Sequence, residues 1–199
     1  PEGYLFWSHG VVRVNPSCGI TPLDNRKFYF EDLPDSISKY AQFYKLHDQL
    51  LYPYYVKRNK KEIYNFSASN LMRKYGDDWG KKFADICHLR LRSWGLNTMA
   101  NSSDIDICKL DRTPYCDRIE IKSPVLDGYP TGVGWWWDVR DPFHPEFRNN
   151  VRKQLLEHKV ELGDPWCIGF FVDNELFWGT GTDQAIWALN SSENQPAKV

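Results

Sequence analysis

Nowhere in this 199-residue sequence does an apolar run approach the ~20 residues that a membrane-spanning helix needs. Excess charge of either sign is also missing. The 25 Lys and Arg face 26 Asp and Glu, for a formal net charge of −1. That balance argues against a nucleic-acid phosphate backbone as the main partner. The one dense basic stretch, Lys57-Arg58-Asn59-Lys60-Lys61, reads as a solvated surface loop. The five cysteines, Cys18, Cys87, Cys108, Cys116 and Cys167, form no Cys-x-x-Cys. Neither a zinc site nor a disulfide framework is indicated, and no cofactor is called for. All five read as buried or free thiols, with a small loop closed by Cys108 and Cys116 in an oxidising compartment as the alternative. No repeat and no low-complexity segment is visible. The chain opens on Pro1-Glu2-Gly3 without a Met or a signal peptide and closes on the polar stretch 190–199, so both ends read as cut.

Aromatic residues are what the sequence has in plenty: 9 Trp, 11 Tyr and 11 Phe, against an overall hydrophobic content of 42% that suffices for a buried core. Core filling is the default role for most of them. Flat aromatic faces also line sugar-binding clefts, where the apolar C–H face of a pyranose packs against a ring.

Along the chain, residues 4–14 form a first strand candidate, rich in aromatic and β-branched types. Residues 15–67 read as a long irregular insert broken by Pro16, Pro22, Pro34 and Pro53. A short helix over 70–75 stops at Gly76, and Asp77 or Asp78 can cap the next one. Trp79, Phe83, Cys87, Leu91 and Trp94 then recur three or four apart and predict one buried helical stripe, with Gly95 as a left-handed exit. Strands are expected over 96–100 and 118–123, and a helix over 146–162 with Phe147, Val151, Leu155 and Leu162 on its inner face. The run Cys167-Ile168-Gly169-Phe170-Phe171-Val172 is almost unbroken in its apolarity, the pattern of a parallel strand buried on both faces. This order predicts an α/β architecture, about four βα units, or the N-terminal half of a (β/α)₈ TIM barrel spanning 1–199.

Asp173-Asn174-Glu175 follows that run directly. Ionisable groups at the C-terminal end of a barrel strand occupy the place where such folds put their active sites. A carboxylate there, walled by Phe177 and Trp178, is expected to lose solvation, which favours the protonated form that a general acid needs. Strict strand alternation sends Asn174 and Glu175 to opposite faces, so one cleft can use both only if the strand ends or bulges here. The bland alternative is a turn-capping Asp173 and a surface Glu175.

The Asn-Glu pair closing an apolar fourth strand resembles the acid/base signature of the clan A retaining glycoside hydrolases. Three further stretches, Leu5-Phe6-Trp7-Ser8-His9-Gly10-Val11, Asn70-Leu71-Met72-Arg73-Lys74-Tyr75-Gly76 and Arg90-Leu91-Arg92-Ser93-Trp94-Gly95-Leu96-Asn97-Thr98, join with 169–176 to resemble agarase-like and family-42-like β-galactosidase members of that clan. The resemblance implies cleavage of β-galactosidic linkages in a polysaccharide or oligosaccharide, with Glu175 as acid/base and Asn174 on the sugar 2-hydroxyl. Trp178 becomes a stacking platform, with one of residues 135–137, represented by Trp136, as a second. His9, Asn101 and Asp138 are candidate sugar contacts. Their rival roles are a core histidine, a turn cap beside Ser102, Ser103 and Asp104, and a solvated loop carboxylate. A retaining enzyme needs a second carboxylate as nucleophile. In the clan it closes the seventh strand, which this sequence does not reach. The isolated chain is therefore expected to be inactive. The resemblance leaves two alternatives open: a non-catalytic carbohydrate-binding barrel, and a clan A enzyme of other specificity such as a β-glucosidase or β-mannanase. A polysaccharide substrate would favour a secreted or periplasmic protein.

Overall fold

The computed structural model describes residues 5–46, 62–130 and 138–199, which fall into two compact units, Pro1–Asn97 and Thr98–Val199. The basic run 57–61 and residues 135–137, Trp136 included, lie outside the described residues.

In the first unit the expected strand over 4–14 reduces to β1 (Gly10–Val11). Arg13 has a left-handed backbone (φ 59°), which breaks the extended run. Residues 7–9 are held instead by Asn97. Its Nδ2 donates to the Trp7 carbonyl at 2.8 Å, and its Oδ1 accepts from the His9 amide at 2.9 Å.

The insert is more ordered than its prolines imply. It contributes β2 (Ile20–Pro22), β3 (Tyr44–Leu46) and β4 (Glu62–Asn65), an antiparallel sheet in the order β2-β4-β3, with 3₁₀ turns at Lys27–Tyr29 and Lys39–Phe43. Helix α1 (Phe66–Tyr75) begins four residues before the predicted start. Asn65 ends β4 and caps the helix, its Oδ1 accepting from the Ala68 amide at 3.0 Å. Leu23, Phe43, Tyr64, Ala68 and Met72 form the core of this unit, with Phe30, Phe66 and Trp79 packed on it.

Helix α2 (Trp79–Ser93) follows Gly76 (φ 78°) and leads to Gly95 (φ 74°). Of the predicted stripe, Cys87 and Leu91 are buried beside Ala84 and His88, whereas Trp94 is exposed. Asp78 stands at the N-cap without a capping side-chain bond.

In the second unit β5 (Thr98–Met99), β6 (Tyr115–Ile119) and β7 (Cys167–Val172) run parallel, paired Met99↔Tyr115 and Ile119↔Val172. α3 (Ile105–Cys108) joins β5 to β6, capped by Asp104 Oδ1 on the Asp106 amide at 3.0 Å. α4 (Pro145–Glu157) and α5 (Lys159–Gly163) precede β7, and α6 (Asp183–Asn190) follows it. The single helix expected over 146–162 is thus two. It breaks at His158, whose Nδ1 lies 2.7 Å from Asp117 Oδ2 on β6 and whose ring meets the edge of Phe170 on β7. Phe147, Val151 and Leu155 are half-buried, as an inner face requires, but Leu162 is exposed. β6 begins three residues before its predicted start, at Tyr115, and ends at Ile119.

The apolar run of β7 has the predicted bounds but not the predicted burial: Ile168, Phe171 and Val172 are exposed, Val172 by 57%. β7 pairs with β6 along one edge, and among the described residues nothing pairs with the other. A second cluster, Leu126, Tyr129, Val139 and Trp187, fixes α6 against the loop after β6. Gly128 makes that approach possible, because a Cβ there would collide with the Trp187 carbonyl. All five cysteines are free, so Cys108 and Cys116 do not pair. Cys18 is exposed, Cys87 and Cys108 are buried, and Cys116 and Cys167 lie between. Burial pushes the Cys87 thiol up to about 11 and the Cys108 thiol up to about 12.

Two buried carboxylates tie this unit together. Asp141, fully buried, accepts from the Phe143 amide (2.8 Å), the Gln195 side chain (2.5 Å) and the Ala197 amide (3.1 Å). Asp141→Ala leaves three donors unsatisfied and is expected to cost about 3 kcal/mol, read from the urea unfolding midpoint. Glu161 is paired with Lys109, their side chains 9% and 34% exposed. Burial, the largest single influence, pushes the Glu161 carboxyl up, but the Lys109 hydrogen bond, a backbone hydrogen bond and the Lys109 charge together outweigh it and hold the group below its ordinary value of 4.5. Its stabilising contribution is therefore complete above that value and lost as pH falls through the lower, folded one. Lys109→Met strands the carboxylate and is expected to cost about 2 kcal/mol at pH 7, the partly exposed ammonium keeping the effect below that of a fully buried pair. The gap between variant and wild type narrows as pH falls below 4.5 and the carboxyl takes up its proton, because a protonated Glu161 no longer needs its partner; unfolding curves at pH 7 and along the acid side test this.

Candidate active site at the end of the last parallel strand

The β6–β7 ladder ends in a handover from backbone to side chain. The Asp173 amide donates to the Ile119 carbonyl at 2.8 Å, and Asp173 Oδ1 then accepts from the Ile121 amide at 2.7 Å. The main chain leaves the sheet through left-handed residues on either side of Asn174, with φ 58° at Asp173 and 49° at Glu175. This is the strand end that a shared cleft demands. Short polar side chains tolerate the left-handed region better than most, which suits Asp at the first of these positions.

Asn174 is half-buried and its Oδ1 accepts from Asn101 Nδ2 at 2.5 Å. Asn101 follows β5, so the ends of β5 and β7 meet through two carboxamides. Ser102 Oγ donates to Asn101 Oδ1 at 3.3 Å, which orients the pair as Ser102 to Asn101 to Asn174. Asn101 is therefore not the turn cap: Ser103 closes that turn on the Ala100 carbonyl, and Asp104 caps α3. Asn174 keeps its Nδ2 hydrogens as the donors it can offer a ligand.

Glu175 is exposed, and the aromatic wall expected around it is not formed by the described residues. Phe177 turns its ring toward Tyr129 and Trp187, at centroid distances of 6.5 and 6.1 Å. Trp178, 58% exposed, lines a cavity of about 500 Å³ with Leu126, Val139, Phe143, Phe147 and Leu176. Asp173, Arg140 and Gln184 are also among its lining residues; Glu175 does not line it. The turn beyond Trp178 is held by Gln184 Nε2 on the Trp178 carbonyl (3.1 Å) and Asp183 Oδ2 on the Thr180 amide (2.5 Å), with Gly179 at φ 67°.

His9 is exposed, just before β1 in the first unit, and Asp138 is exposed in the loop after β6. Asp117, His158 and Glu161 bring ligand atoms within 4.8 Å of one another, but His158 is engaged with Asp117 and Glu161 with Lys109. The group is held by a His158–Asp117 hydrogen bond and a Lys109–Glu161 ion pair across β6 and the helices before β7. The sequence marks Asp173 as a turn cap but not as the acceptor that ends the ladder, for which an Asx residue closing an apolar run is the available signal.

No family model matches the sequence. In an alignment of 216 positions that takes in 93% of this chain, it is 30% identical to beta-agarase B of Vibrio sp. (strain JT0107), and spans 21% of that protein. The crystal structure of the agarase AgWH50C superposes with a TM-score of 0.78 at 28% identity, over 96% of this chain and 30% of the other. An exo-beta-agarase superposes with a TM-score of 0.66 at 25% identity, over 84% of this chain and 23% of the other. The homologues are thus agarases, which are glycoside hydrolases, and the chain spans about a fifth of the curated relative. They support the agarase side of the resemblance and give none to its clan A and family-42 side.

The carboxamide pair yields a test independent of any substrate. Asn101→Ala removes the donor to a half-buried oxygen and is expected to lower stability by about 1 kcal/mol. The Asn174 side-chain NH₂ signals in a ¹⁵N-correlated spectrum should shift more than those of any other asparagine lying outside contact with residue 101.

Proposed function

We propose that this chain carries the acid/base half of a retaining glycoside hydrolase that cleaves β-galactosidic linkages of agar-type polysaccharide or oligosaccharide. The supporting observation is the Asn101–Asn174 carboxamide pair at the C-terminal ends of two parallel strands, with Glu175 next in sequence, in a chain whose homologues are agarases. In this reading β5, β6 and β7, with β1 before them in sequence, are the first strands of a (β/α)₈ barrel. Their C-terminal ends are where such a fold gathers its chemistry.

Glu175 protonates the glycosidic oxygen as the bond breaks, and Asn174 Nδ2 donates to the oxygen of the 2-hydroxyl, a contact that strengthens as charge develops on the ring. Trp178 offers its exposed face to the apolar side of a neighbouring sugar. The retaining reaction requires a carboxylate about 5–5.5 Å from the first as nucleophile. Nearby acids do not fit that role. The Asp173 carboxylate is taken by the Ile121 amide, Asp138 stands exposed in a loop, and Glu193 pairs with Lys198 at 2.7 Å. In this reading the nucleophile belongs to sequence outside this chain, and no described residue walls Glu175 from water.

The exposure of Glu175 and its separation from the Trp178 cavity favour a second reading, a carbohydrate-binding protein without catalysis. In a polypeptide of the relatives' length, Glu175→Gln separates the two. The enzyme reading expects kcat/KM on agaro-oligosaccharides to fall by about 10²–10⁴-fold, with partial recovery in azide or formate on substrates with good leaving groups. The 199-residue chain alone shows no turnover in this reading. Oligosaccharide binding with no hydrolysis by the unsubstituted long protein would favour the binder.

A further inference from the structure

Glu175 is a poor residue for left-handed backbone, and Asp173 a tolerable one, yet both adopt it within three residues. A corner of this kind persists only where its surroundings over-determine it. Here the surroundings are specific. Ile119 and Ile121, which receive Asp173 through its amide and its carboxylate, are 3% and 2% exposed. They hold the carboxylate against a part of the chain that packing has already immobilised. Because Asp173 Oδ1 takes the amide that the next ladder step would have used, the main chain can turn without leaving the Ile121 N–H unpaired. The far side of the corner is fixed as well, by Asn101 Nδ2 on Asn174 Oδ1.

We infer that Asp173 is a positioning residue, whose carboxylate on the Ile121 amide holds the left-handed corner that presents Asn174 and Glu175 to the same sugar, while the Ser102–Asn101–Asn174 chain fixes the Asn174 carboxamide with its Nδ2 toward the ligand. The inference rests on the reading of Glu175 as acid/base. It gives Asp173 no contact with substrate and no proton to transfer. Its part is to remove the freedom that would let the acid miss the glycosidic oxygen, and a displacement of about 1 Å at such a centre costs on the order of 100-fold in rate.

The test compares Asp173→Gly, Asp173→Asn, Asn101→Ala and Glu175→Gln in a polypeptide of the relatives' length, with kcat and KM on agaro-oligosaccharides measured per folded molecule. Glycine removes the carboxylate while relieving the backbone, so it isolates the clamp from the strain. Asparagine keeps both the left-handed tolerance and an acceptor oxygen. Asp173→Gly is expected to lose about 100-fold in kcat with KM changed less than about threefold, and Asp173→Asn to stay within about fivefold of wild type. A Glu175→Gln protein as active as wild type overturns the acid/base reading and the positioning role with it. An inactive Glu175→Gln beside an Asp173→Gly of undiminished kcat overturns the positioning role alone. Should Asp173→Gly fail to fold, Asn101→Ala decides: a kcat about tenfold down supports the fixed corner, and an unchanged kcat and KM overturns it.

Discussion

A parallel ladder must stop where its strands stop, and the amides beyond its end still need acceptors. At the end of β6 and β7 the carboxylate of Asp173 supplies one, on the Ile121 amide, directly after the Asp173 backbone has made the last bond to Ile119. Nearly everything of chemical interest here follows from that substitution of side chain for backbone. Beside it the main chain turns through left-handed residues at Asp173 and Glu175, and Asn174 between them pairs with Asn101. The apolar cavity beside Trp178 opens off the same corner, with Asp173 in its wall.

Polar groups elsewhere in the second unit do comparable structural work. His158 is drawn onto Asp117 and splits what would otherwise be one long helix, Lys109 closes on Glu161, and Asp141 gathers the loop after β6 and the C-terminal residues onto one buried carboxylate. Each is satisfied by a named partner, as a buried polar group must be. Asp117, His158 and Glu161 bring their ligand atoms within 4.8 Å of one another, with His158 bonded to Asp117 and Glu161 to Lys109.

What was legible in the sequence was local. The apolar run that became β7 kept its bounds, and the spacing of Cys87 and Leu91 marked the buried face of α2 between two left-handed glycines. What was not legible depended on distant partners. The β2-β4-β3 sheet joins short segments through pairings such as Ile20↔Asn65, which leave no periodic trace. The break at His158 answers to Asp117, and the end of β6 answers to a carboxylate just past the next strand. Asn101 and Asn174 were each singled out for their types, but their bond spans 73 positions. The shielding expected of Phe177 and Trp178 failed for a related reason: proximity in sequence did not decide which way the rings turned.

The distribution of thiols carries a practical consequence. Of five free cysteines only Cys18 is exposed, and burial holds the Cys87 and Cys108 thiols in their unreactive, protonated form at neutral pH. A maleimide dye or a nitroxide should therefore attach first at Cys18. The first unit comes with its own spectroscopic address, and a single-site fluorescent or paramagnetic reporter can be installed there without removing another cysteine.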